Sequence, residues 1–148
     1  MSHVSNIDVE VKDLPSLKVA CEELGLEFRE NQTCYRWFGK FVGDAPLPLG
    51  FIEEDLGKCE HAIGISGKES YEVGVVRNKT GVGFQLFWDE WAGGQGLEEV
   101  IGKGACKLKQ AYASAVAVKI ASKTSNLINQ YVKTDGSRVY EFMPRGKF

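Results

Sequence analysis

Few side chains in this 148-residue chain have the type and spacing that chemistry requires. Cys59-Glu60-His61 sets two soft metal ligands two positions apart, on one face if the segment is extended. Cys34 and His3 could complete a ligand set. Zinc sites, however, characteristically carry ligand pairs spaced as Cys-x-x-Cys, and no such pair exists here. The expectation is no metal and no cofactor. Acid–base chemistry has His3 and His61 to draw on, with Asp89-Glu90 at the end of a strand pattern, where function often sits. Nucleophile, base and orienting group cannot be assembled from these, so no catalytic residue is assigned. Gly96 to Gly104 mimics a phosphate-binding loop. It fails because five residues separate Gly96 from Gly102-Lys103 and Gly104 replaces the hydroxyl that would hold magnesium. Glu98 and Glu99 instead suit a helix start, where acids complement the dipole.

Cations form the other conspicuous group. Lys103, Lys107, Lys109, Lys119 and Lys123 decorate a helix pattern, Arg138 and Arg145 lie on or beside a hairpin, and Tyr131 and Tyr140 could stack bases. A net charge of −2 and a sequence pI of about 5.7 disfavour nucleic acid and anionic membranes. A weak RNA or single-stranded nucleic-acid binder using Lys103, Lys107, Lys109 and Arg138 is therefore the second reading, not the first. No apolar run approaches the ~18 residues of a membrane span, and no basic or greasy leader opens the chain. These features predict a cytoplasmic protein without membrane contact. Its four cysteines, Cys21, Cys34, Cys59 and Cys106, are expected to be free thiols. The sequons at Asn31 and Asn78 are read as chance.

The elements that must position these residues are more legible. Ile7, Val9 and Val11 alternate with polar residues, which predicts a strand. Asp13 and Pro15 read as the N-cap and first turn of a helix with Leu14, Leu17, Cys21 and Leu24 on one face and Gly25 as its stop. Leu26–Glu30 and an aromatic Cys34–Phe38 are expected strands, followed by a long loop over residues 39–60. Ala62–Ser66, Tyr71–Arg77 and Gly83–Asp89 read as a three-stranded meander. A flexible Trp91–Gly96 break precedes a long helix whose stripe runs through Leu108, Tyr112, Ala115, Val116 and Lys119. Leu127–Val132 and Val139–Met143, joined through Asp135-Gly136, carry the strongest short-range hairpin signal in the chain. Together these predict one α+β domain over residues 1–148: a mainly antiparallel sheet with two helices on one face, and a long C-terminal helix followed by a β-hairpin.

The meander has two unlike faces. Ile63, Ile65, Tyr71, Val73, Val75, Phe84, Leu86 and Trp88 share one, the expected core face. Gly64, Gly74, Glu72, Phe87 and Asp89 fall on the other. Glycine inside a strand marks close approach by another backbone, helix or ligand. Either the 39–60 loop or an outside partner should therefore cover Gly64 and Gly74. The candidate binding residues are His3, Gly64, Gly74, Phe87, Asp89 and Trp91.

The opening Met1–Ile7, Leu17-Lys18-Val19-Ala20, Leu24-Gly25, Tyr71–Gly74, Asp89 with Trp91, Gln110–Ala113 and Asp135–Arg138 occur in an order that resembles an uncharacterised family, the plastid open reading frame called ycf thirty-five with its cyanobacterial and phage relatives. Gly39–Cys59 departs from that pattern. The resemblance implies a small cytoplasmic or stromal protein and no particular activity. The leading expectation is a non-enzymatic binding or accessory protein with a protein partner, acting through a sheet face and its loops. A small enzyme or metal protein around His3, Cys59, His61 and Asp89 is the remaining alternative.

Overall fold

A computed structural model describes residues 4–39, 47, 50–79 and 82–145. His3 and most of the 40–49 stretch lie outside the described residues. In chain order the elements are β1 (Val4–Val11), α1 (Leu14–Leu24), β2 (Leu26–Glu30), β3 (His61–Ile65), β4 (Val73–Arg77), β5 (Phe84–Asp89), α2 (Ala92–Gln95), α3 (Leu97–Ile101), α4 (Cys106–Ala121), β6 (Ser125–Val132) and β7 (Arg138–Pro144). The first five strands form one antiparallel sheet in the order β1-β5-β4-β3-β2, and β6 and β7 pair apart from it. The protein is thus α+β, with α1 and α4 on one face of its sheet.

Alternation decides which side chains meet the helices. Ile63, Val73, Val75, Phe84, Leu86 and Trp88 pack with Leu17, Ala20, Leu97, Ile101, Leu108, Ala111 and Tyr112 in the main core. Tyr71 does not join them, because β4 begins only at Val73. Pro15 sits in the first turn of α1, and Gly25 closes the helix in the left-handed region at φ 73°, donating to the Cys21 and Glu22 carbonyls. Asp13 does not cap with its side chain as expected. Its carboxylate accepts from the Ser16 hydroxyl and from Lys119 at 2.9 Å, which ties α1 to α4. Both contacts hold the Asp13 carboxyl below its usual range.

The long helix is interrupted. Gly102 (φ 87°, ψ 162°), Gly104 (φ 63°) and Ala105 (φ 60°) break it between α3 and α4. A right-handed helix cannot continue through those angles, so α3 and α4 pack as separate pieces. Ala92–Gln95 is also no ordinary helix: Ala92, Gly93, Gly94 and Gln95 all have positive φ. The Cys34–Phe38 strand is likewise absent, leaving a single bridge from Cys34 to Lys58. The helix stripe places Leu108 at 0% exposure. Leu108→Ala should therefore cost about 3 kcal/mol, as for other emptied leucine sites. Lys107→Ala, on the exposed face, should stay within about 0.5 kcal/mol. Chemical denaturation midpoints check the order.

Candidate functional site

The sheet face that the helices leave bare carries a second core. Val4, Tyr35, Phe51, Ala62 and Phe87 are buried together there, with Trp37, Leu56, Cys59 and Val76 against them. Two segments supply the cover, one around residues 33–38 and one around 51–59. They are stitched to each other by the Tyr35 N–H donating to the Gly57 carbonyl at 2.9 Å and the Cys59 N–H to the Thr33 carbonyl at 2.9 Å. Tyr35 lies directly over Gly74: a Cβ there would come within 2.2 Å of the ring. At Gly64 the corresponding space belongs to the Arg29 guanidinium. Of the two alternatives for this face, cover from within the chain is what the structure contains. Phe87, at 3% exposure, is enclosed by that cover and packs against Phe51, the two rings 5.2 Å apart and inclined at 58°.

Two carboxylates hold the cover down. Continuing the Gly74–Phe87 register by one repeat sets Glu72 opposite Asp89. Both are buried, at 3% and 0% exposure. Glu72 accepts from the Arg29 guanidinium, from Gln32 Nε2 at 3.0 Å and from the Arg36 backbone N–H at 2.7 Å. The Glu72 N–H in turn donates to the Arg36 carbonyl at 2.9 Å. Asp89 accepts from the Phe38 N–H at 3.0 Å and from the Trp91 N–H at 3.0 Å. Each carboxylate thus meets backbone donors that strand pairing does not reach, the condition under which a buried charge is tolerated. Glu72 was visible in the sequence only as a polar residue on the second face. Its guanidinium partner is 43 residues away.

The remaining sequence candidates scatter. His61 turns to the helix side, its ring 5.3 Å from Phe28 and 5.9 Å from Phe84, and its Nδ1 accepts from the Asn31 N–H at 3.0 Å. Cys59 stays on the opposite face and donates to the Gln32 carbonyl at 3.1 Å, its thiol pushed up to about 12 mainly by burial. The two do not share a face, because Cys59 pairs with Thr33 before Glu60 joins the sheet through the Val75 carbonyl. Among the described residues no three His, Cys, Asp or Glu side chains gather as metal ligands do. The Trp91 ring is 37% exposed although its backbone is held by Asp89.

The cations do not form one stripe. Lys103 and Lys107 line a shallow depression together with Glu98 and Glu99. Lys119 is paired with Asp13 at 2.9 Å and Arg138 with Glu23 at 2.6 Å. Lys109 is half-buried.

Those last two ion pairs frame a surface that the sequence did not single out. A groove of about 380 Å³ lies between α1, α4 and the hairpin, with Pro15, Val19, Ala111, Ala115, Val118 and Tyr140 among its walls. Its rim charges, Lys119 and Glu23–Arg138, are neutralised within the chain, so the walls present apolar surface. No helix among the described residues is long and apolar enough to cross a membrane. Comparisons with protein-family models, with curated proteins and with solved structures found no match to this chain.

Proposed function

We propose that this is a non-enzymatic binding or accessory protein whose contact surface is the groove between α1, α4 and the hairpin, and that its partner is an uncharged apolar segment of another protein. The observation that carries the reading is the pairing of apolar walls with rim charges already closed on each other. Ligand sites are concave, mostly apolar and polar only at a few points. Here the polar points are the two ion pairs with the neutral Ser16, Ser114 and Gln130, which together favour an occupant without net charge. The sheet face first expected to serve this role is filled by Tyr35 and Phe51 instead. The buried carboxylates Glu72 and Asp89 hold backbone N–H groups, a structural task. A nucleic-acid role draws less support, since Lys119 and Arg138 already have carboxylate partners. Kinship with the plastid and cyanobacterial family rests on the ordered sequence motifs and brings no activity with it.

The test is a displayed peptide library selected on the wild-type protein, with Ala115→Arg placing a long cation in the groove. Selected peptides should be rich in Leu, Ile and Phe and should bind Ala115→Arg at least about ten-fold more weakly, the effect of losing a central contact. Binding to Lys103→Ala should be unchanged. Peptides that bind wild type and Ala115→Arg equally would remove the groove from consideration.

A further inference from the structure

We infer that the β6 edge away from β7, which pairs with no other strand among the described residues, is a strand-pairing surface whose occupant is β6 of a second copy of this chain, giving a four-stranded antiparallel sheet across a twofold axis. This goes beyond the groove reading and rests on the backbone edge of β6, beside the groove that the Gln130 side chain helps to line.

An edge strand exposes unpaired N–H and C=O groups, and proteins normally blunt it with charge, proline or short length. The two edges of the five-stranded sheet are blunted in this way: β1 carries Asp8 and Glu10, and β2 spans only Leu26–Glu30 with Glu27, Arg29 and Glu30. β7 carries Arg138, Glu141 and Pro144. β6 reads Ser-Asn-Leu-Ile-Asn-Gln-Tyr-Val, eight residues with no charge, no proline and no glycine. Its one irregularity is the register shift between Leu127 and Asn129, which leaves Asn129–Val132 straight.

The backbone shows which groups are on offer. The Lys133 N–H donates to the Ser137 carbonyl at 2.8 Å, so Lys133 and, two residues back, Tyr131 point their peptide groups at β7. By the antiparallel alternation, Gln130 and Val132 point theirs at the free edge. The side chains there are apolar and unburied as well: Ile128 is 56%, Tyr131 46% and Val132 66% exposed. A lone two-stranded hairpin is marginal in water, whereas three or more strands sustain themselves.

Self-complementarity selects the second copy over other occupants. A twofold axis across the edge pairs β6 with itself in the antiparallel sense, an isologous contact. Because β6 is uncharged, no like charges face each other along the ladder. The same operation about Val9 of β1 would face Asp8 with Glu10, and about the midpoint of β7 it would face Glu141 with its own copy.

Two readouts test this. Sedimentation equilibrium over a concentration series should show a mass rising towards twice the chain's 16.4 kDa. Hydrogen exchange at the Gln130 and Val132 amides should slow at least ten-fold from the dilute to the concentrated sample. Val132→Pro removes one outward N–H while leaving the β6–β7 ladder hydrogen bonds in place, and Asn129→Lys puts like charges near the axis. Both should stay at the single-chain mass. Folding of each variant is checked by circular dichroism, and the exchange measurement on the wild type needs no variant. A wild-type protein that remains at 16.4 kDa with concentration-independent exchange at both amides overturns the inference. So does a dimer that Asn129→Lys leaves intact.

Discussion

Gly74→Val should lower stability by about 4 kcal/mol, even though valine suits a strand better than glycine. The new Cβ would lie 2.2 Å from the Tyr35 ring, far inside contact distance. Tyr35 cannot lift away cheaply: its N–H is bound to the Gly57 carbonyl and its neighbour Arg36 to Glu72. Overpacking alone costs about 1–3 kcal/mol, and expelling a buried aromatic forfeits about 1.5–3 kcal/mol of burial. Urea denaturation measures the sum. Removing the obstacle provides the internal control, because Tyr35→Ala and Gly74→Val should couple by at least about 1 kcal/mol when combined. A Gly74→Val protein as stable as the wild type would mean that Tyr35 does not cover this face.

Glu72→Ala should be comparably damaging, at about 4 kcal/mol, within the range for breaking a buried ion pair by removing one partner. The variant leaves the Arg29 guanidinium, whose side chain is only 20% exposed, with the more exposed Glu27 and the Ile65 carbonyl alone, takes one of two acceptors from the Gln32 amide and orphans the Arg36 N–H. Glu72→Gln keeps an acceptor for the Arg36 N–H and should cost less than half as much, since no backbone donor is then orphaned and Glu27 still faces Arg29 at 2.8 Å. The same urea experiment separates the two. If Glu72→Ala costs under about 1 kcal/mol, the carboxylate does not hold the 33–38 segment on the sheet.

Together these expectations describe a sheet packed on both faces by different means. Helices cover one face with aliphatic side chains. A loop covers the other with aromatics and needs two buried carboxylates because it is not a regular element. Its backbone N–H groups cannot all be met by a ladder, so side-chain acceptors supply the missing partners. That division moves the surface available for binding away from Gly64, Gly74 and Phe87 to the α1–α4 groove and the hairpin.

Local periodicity in the sequence was enough for the hairpin, the meander, α1 and the Leu108, Tyr112 and Val116 positions of α4, whereas Ala115 of the expected stripe lines the groove and Lys119 is exposed. Period-two alternation placed Ile63, Val73, Val75, Leu86 and Trp88 on the core face, and Asp135-Gly136 marked the turn, with Gly136 at φ 88°. Such signals need only neighbours within a few residues, so they survive without knowledge of the fold. The two strand glycines also announced a close approach. What they could not announce was the approaching group, because Tyr35 reaches Gly74 across a turn-rich segment with no period of its own. The same limit hid the role of Glu72, the separation of Cys59 from His61 and the groove between α1, α4 and β7. Each depends on segments far apart in sequence meeting in space: Arg36 with Glu72 over 36 residues, Glu23 with Arg138 over 115. The free energy that selects those meetings comes from burying apolar area and satisfying buried donors together. Only the assembled tertiary structure decides which donors those are.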